Sequence, residues 1–160
     1  MRVRAYLTGS LLAEVGTDSL TWSDDRAERA EEREQLHPYF VLGVIASFCE
    51  LASGWLAQFD LRSGNALIEL GIGGARGLAL RAHSPQSDVW LFKHEGTLHV
   101  AQDDPLVLPR PVRVSVEELV SRPGRVAVRI AERLYEAFDF GLNDLPREVD
   151  RQAGAITLPD

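Results

Sequence analysis

Two histidines, His94 and His99, bracket the dipeptide Glu95-Gly96 within 88–101. With Glu95-Gly96 as a two-residue hairpin turn, His94 pairs with Thr97 and Phe92 with His99. Strand alternation then sets Asp88, Trp90, Phe92, His94, Thr97 and His99 on one face. Val89, Leu91, Leu98 and Val100 fall on the other, which is the expected core side. The two imidazoles become diagonal neighbours roughly 7 Å apart. Two imidazoles do not close a metal site without a third ligand. Asp88 lies at the far end of its strand and Glu95 in the turn, so no metal is expected. The face that carries Trp90, Phe92, His94 and His99 is instead a candidate partner-binding surface, with the aromatic rings as anchors. The alternative is that these side chains pack under another segment of the chain.

The second constellation is Glu69-Leu70-Gly71-Ile72-Gly73-Gly74-Ala75-Arg76-Gly77. Read as strand, glycine-rich loop and helix, it resembles the first motif of class I methyltransferases, which would imply a nucleoside cofactor. The third glycine of that motif falls on Ala75, and Pro85 follows too soon for a crossover helix. The 65 residues after Glu95 are too few for the rest of that fold. The preferred reading is a turn that lets two antiparallel strands approach closely, and no cofactor is expected. A small-ligand or enzymatic site at the loop from Gly71 to Gly77, with Arg76 facing an anionic ligand, is the alternative.

Asp103-Asp104-Pro105 reads as a loop, because adjacent carboxylates do not converge on one substrate atom. Glu50 stands alone on an apolar helix and is expected at a partly exposed edge. Cys49, the one cysteine, excludes an internal disulfide and lies in an apolar run as a buried thiol. No phosphate-binding loop, zinc-protease helix motif, nucleophile elbow or paired-cysteine motif occurs.

The elements that must position these residues read as α+β. Residues 2–7 alternate as a strand, and 11–15 with 19–22 read as a further hairpin turning at Gly16-Thr17-Asp18. Ser23 has the chemistry of an N-cap for a solvated helix over 24–36, which stops at His37-Pro38. From about Val44, Ile45, Phe48, Leu51, Ala52, Trp55, Leu56 and Phe59 recur at helical spacing, with 39–42 as a first turn or a separate strand. The uninterrupted apolar part, 39–46, is shorter than the roughly 18 residues a membrane span needs, which favours a core helix. Strands are expected at 65–72, 78–82, 89–93, 97–101 and 112–116, the last edged by Pro109 and Pro111. Ser115 and Glu118 have capping-box spacing. After Pro123-Gly124, Val126, Ile130, Leu134, Ala137 and Phe138 mark one face of a helix over 125–138 that ends at Gly141. The expected architecture is an antiparallel sheet of about five or more strands packed against a long central helix and a C-terminal helix. A single domain over 1–141 and a loosely held tail over 142–160 complete it.

Composition narrows the function. The 160 residues are 45% hydrophobic, which excludes a wholly disordered chain and fits one domain. Acids outnumber bases 24 to 17, and Lys93 is the one lysine. The excess is local: 23–36 has six acids against three arginines, 139–160 has five against two, and 61–138 has nine against ten bases. This distribution disfavours nucleic acid, which demands clustered positive charge. Without a continuous apolar N-terminal run, a signal peptide is not expected and a cytoplasmic location is.

The leading expectation is therefore a non-catalytic, acidic interaction module that binds a basic protein. Asp24, Asp25, Glu28, Glu31 and Glu32 supply steering charge, and Trp90 and Phe92 act as anchors. In size, charge and layout it resembles bacterial immunity proteins, which neutralise basic toxin domains, although no residue motif carries the likeness. A homo-oligomer that buries the aromatic face against itself is a further option.

Overall fold

The computed structural model describes residues 2–5, 11–15, 21–22, 35–61, 63–81 and 98–158. Strand β1 (Arg2–Ala5) pairs antiparallel with β2 (Leu11–Glu14), Ala5 opposite Leu11. Among the described residues, 11–15 do not pair with 21–22 as expected. Instead β3 (Thr21–Trp22) pairs with β4 (Gln35–Leu36). The helix expected to run to Leu36 thus ends in a strand, because Leu36, the one apolar residue near its end other than alanine, is 2% exposed in the core. The remainder of that helix, 23–34, lies outside the described residues.

Helix α1 (Pro38–Gln58) takes in 39–42 as its first turn. His37 caps it: the backbone is extended there, and Nδ1 accepts the Phe40 N–H at 3.4 Å. Pro38 follows where a missing N–H costs no helical bond. The buried face is Val41, Leu42, Ile45, Cys49, Ala52 and Ser53, whereas Leu51 and Phe59 of the expected stripe are exposed. The difference is a rotation of the buried arc toward positions 41, 45, 49 and 52, each three or four apart. The helix ends with Asp60 in the left-handed region (φ 53°), as Leu61 N–H reaches back to the Leu56 carbonyl. α1 is also long and apolar enough to cross a membrane, a criterion that core helices of soluble proteins meet as well.

The strands after α1 form short ladders, not the expected single sheet of five. β5 (Asn65–Ile68) and β6 (Gly71–Ile72) follow one another, then β7 (Ala79–Arg81), β8 (Leu98–Val100), β9 (Leu106–Val107) and β10 (Val112–Ser115). β5 pairs with β10, and Ile68 stands opposite Val112. β6 pairs with β9, and Gly71 stands opposite Val107. Between these pairs one strand advances three residues and the other five. The two extra residues fall at Pro109-Arg110-Pro111, where two prolines offer no N–H to a ladder, and only Leu108 N–H to the Leu70 carbonyl bridges the gap. A continuous strand over 65–72 is thereby divided. The largest sheet among the described residues has four strands in the order β3-β4-β7-β8, with β4 and β7 parallel and the other pairs antiparallel.

Ser115 ends β10 and caps α2 (Val116–Ser121), its hydroxyl accepting the Glu118 N–H at 3.0 Å. α3 (Pro123–Ala137) starts on Pro123 and buries Val126, Ile130 and Leu134, together with a second row, Ala127, Ala131 and Tyr135. Asp139 (φ 59°), not Gly141, takes the left-handed position after it, and Phe140 N–H bonds back to the Tyr135 carbonyl. Gly141 instead opens a short 3-10 turn, Leu142–Asp144.

The main core draws on α1, α2, α3 and the strands from Leu36 to Phe140. The segment set apart in sequence as a tail contributes β11 (Val149–Asp150) and β12 (Ala155–Ile156), paired as a hairpin. Val149 joins Leu42, Val128 and Ala131 in a second apolar cluster, with Leu145, Ile156 and Leu158 packed against it. Burial of an aliphatic side chain in such a cluster contributes about 1.5–3 kcal/mol.

Candidate functional site

Among the candidate partner-binding residues, His99 lies within the described structure. Trp90, Phe92 and His94, and the acids Asp24, Asp25, Glu28, Glu31 and Glu32, fall in segments outside it. His99 is half-buried on β8 and stands opposite Leu80 of β7, itself 1% exposed. Its Nδ1–H donates to the Phe138 carbonyl, and its ring stacks on Phe140 with centroids 4.2 Å apart and planes 11° from parallel. The carbonyl can only accept, so the proton sits on Nδ1 and Nε2 is the acceptor in the neutral ring. The imidazole thus pins β8 to the chain after α3. Among the described residues no group of three His, Cys, Asp or Glu side chains has the arrangement to hold a metal ion.

The glycine loop is closed from within. Gly74 (φ 68°) and Gly77 (φ 88°) adopt left-handed backbone, which turns β6 back toward β7 without an intervening helix. Leu78 N–H closes one turn on the Ala75 carbonyl, and Gly77 N–H bonds the Ala101 carbonyl. The successive N–H groups of Gly74 and Ala75 both point at one carboxylate oxygen, Asp104 Oδ1, at 2.8 and 3.3 Å. Backbone N–H pairs of this kind form an anion-binding concavity. Here the anion is the protein's own, and Ala75 behind it is fully buried. The strand–loop–helix geometry of the methyltransferase motif is absent, because β7 follows the turn. Of the pair Asp103-Asp104, Asp104 thus has a structural part that adjacency alone did not disclose.

Three of the five acids of 139–160, Asp144, Glu148 and Asp150, are engaged in the same way. Asp144 Oδ2 accepts Gly141 N–H at 2.8 Å, and Asp150 Oδ1 accepts the N–H groups of Gln152 and Ala153, both at 2.8 Å. Glu148 is the most enclosed, with its side chain 8% exposed. Its Oε1 accepts the Tyr39 hydroxyl and Arg147 Nε–H, each at 3.2 Å. Burial first, and then the Glu148 charge, push the Tyr39 hydroxyl pKa upward. Tyr135, 1% exposed on the second row of α3, has its phenol pushed up by burial and by the nearness of Tyr39 and Glu148.

The sequence reading missed this Tyr39–Glu148–Tyr135 junction. Its one sequence signal is the spacing Ala127, Ala131, Tyr135, which marks a second buried row on α3 beside the stronger Val126–Ile130–Leu134 stripe. Other ion pairs lie nearer the surface: Arg129 bridges Glu118 and the Arg113 carbonyl, Arg151 meets Glu132, and Glu136 takes both Arg110 and Arg133. No protein-family model, curated protein or solved structure matches the chain.

Proposed function

We propose that the chain is a non-catalytic interaction module, of the immunity type, that acts in the cytoplasm by binding a basic protein. One observation supports the reading: in the second acidic segment the carboxylates of Asp144, Glu148 and Asp150 are bonded within the fold. In 139–160, Asp144 and Asp150 accept turn N–H groups and Glu148 is buried against Tyr39. These bonds hold the local fold. The six acids of 23–36 carry the steering. Asp24, Asp25, Glu28, Glu31 and Glu32 attract the basic partner, and Trp90 and Phe92, beside His94 and His99, supply the desolvated anchors. The Asp104 carboxylate in the glycine loop supports an interaction role over a nucleotide or cofactor site, because a ligand phosphate would have to displace it.

The test is capture from the native cell extract on the intact chain at low and at high salt, read by mass spectrometry. The expected result is one basic protein, retained at low salt and weakened at high salt. Recovery of the bait alone under both conditions would count against the reading.

A further inference from the structure

The fold uses one side of α1 and leaves the other open. Glu50 is the one charged residue of the helix, yet only 28% of its most apolar 18-residue stretch is buried. The buried arc runs through Val41, Ile45, Cys49 and Ala52. At about 100° per residue, the opposite side carries Phe40, Val44, Ser47, Leu51, Gly54 and Gln58, spaced alternately four and three apart. Val44 is half-buried and the other five are exposed, Phe40 at 44% and Leu51 at 41%. Alternating spacings of four and three are those of the seam along which two helices pack.

The order of large and small residues selects the occupant. In a parallel pair each position faces its own copy, so Ser47 would meet Ser47 and Gly54 would meet Gly54, leaving two gaps. In an antiparallel pair, about a two-fold axis level with Cys49, Leu51 meets Ser47 and Val44 meets Gly54 of the second copy. Phe40 then lies along the stem of Gln58. A Cβ at Gly54 would find nothing within 4 Å, so there is room for Val44 of the second copy to enter. The stripe is about 27 Å long, and two such helices in contact bury on the order of 1,000 Å² in total, the lower limit of a specific interface. A bilayer surface would call for basic residues on the polar flanks of the stripe, and α1 has none.

We infer that the chain self-associates as an antiparallel dimer through the outer face of α1, with Leu51 of each copy seated on Ser47 of the other. The small area makes the dimer weak, with dissociation in the micromolar range. The inference does not rest on the proposed basic partner, to which an uncharged stripe offers no complement.

Sedimentation equilibrium of the full chain, from about 1 μM to 1 mM, tests it. The expected result is a reversible passage from one chain to two. Leu51→Asp should weaken the dimer at least about tenfold, with an unchanged urea midpoint because the site is exposed. Gly54→Leu adds apolar surface and favours the helix, yet it fills the space that Val44 of the second copy needs, so association should fall about tenfold. Glu50 flanks the stripe near the axis and comes close to its own copy, so Glu50→Gln should tighten the dimer about threefold. Under oxidation, Phe40→Cys/Gln58→Cys should form an interchain disulfide. Gln58→Cys alone should not, since its two copies lie about 27 Å apart. A monomer at every concentration would overturn the inference, and its binding to phosphatidylcholine vesicles would then assign the face to lipid. Undiminished association of Gly54→Leu, or crosslinking of Gln58→Cys to its own copy, would overturn it as well.

Discussion

The glycine loop and the C-terminal junction invert what their residue types suggest. The loop 71–77 has the composition of a ligand cradle, yet its N–H groups are filled by Asp104 from the same chain. The junction at Tyr39, Tyr135 and Glu148 has no motif, yet two of its buried polar atoms have no hydrogen-bond partner among the described residues. Glycine content reports that the backbone can approach something closely. It does not report whether that something is a ligand or the protein's own carboxylate. Open valence, by contrast, is a property of the assembled fold and has no short sequence signature.

Four measurements would break or sharpen this contrast. The largest effect is expected where the hairpin meets α3. A Cβ at Gly124 would come 2.8 Å from the Gly154 carbonyl oxygen, a backbone atom, and Gly154 itself has a left-handed backbone (φ 66°) against Arg125. Gly124→Val should therefore destabilise the domain by about 3 kcal/mol, roughly a 150-fold loss in the folding constant at this conversion, read as a lower urea midpoint. A midpoint equal to wild type would mean that the hairpin is not closely docked.

The next largest is chemical. Burial, with the Glu50 charge adding to it, pushes the Cys49 thiol up to about 12. Native alkylation by iodoacetamide at pH 8 should run at least about a hundredfold slower than in the urea-unfolded chain, because the reactive thiolate is scarce and enclosed. The sign follows for stability too: the folded pKa lies above the unfolded value of about 8.5. The contribution of the neutral buried thiol is full below that value and is lost as pH rises toward the folded pKa.

Asp104→Ala addresses the loop itself. Gly74 and Ala75 would lose their shared acceptor at a site where Gly74 and Asp104 are exposed, so water replaces part of the bond. A cost of about 1–1.5 kcal/mol is expected, with partial recovery of the melting temperature in acetate, which can occupy the vacated N–H pair. If acetate and chloride act alike on this variant, the loop is not an anion cradle.

The smallest effect belongs to Glu136, whose carboxyl is held below its ordinary range chiefly by the Arg133 hydrogen bond, with Arg110 adding to it. Its contribution is present above the unfolded pKa and is lost as pH falls through the folded one. The site is exposed, so solvent screens it. Glu136→Gln at pH 7 should shift the melting temperature by no more than about 1 °C, and this difference should shrink as the pH falls below the ordinary carboxylate range.

Local chemistry in the sequence was enough to place several elements. Ser115 with Glu118, Pro123-Gly124 and the apolar spacing after Val44 act within a few residues, and each matches an observed cap, break or helix. Pairing was less legible. Pro109 and Pro111 mark an edge in sequence, but the register slip they impose on 65–72 depends on which strand lies opposite. The sequence sets His99 on the face away from the core through a hairpin to 89–93, a strand that lies outside the described residues. Its observed neighbour is Leu80, on a strand 17 or more residues away, and long-range pairing of this kind leaves little local trace. At the junction, Glu148 lies in a polar stretch, and only the docking of β11 and β12 onto α3 encloses it.

The most direct test of the interaction reading compares capture by the wild-type chain with capture by Glu28→Lys/Glu31→Lys/Glu32→Lys, side by side in low salt. These positions adjoin no core residue of the described structure in sequence, and circular dichroism verifies that the variant is folded. The account predicts that the wild type retains a basic protein and that the charge-reversed chain loses it at least tenfold. Equal retention by both chains would contradict the claim that the acids of 23–36 steer the partner.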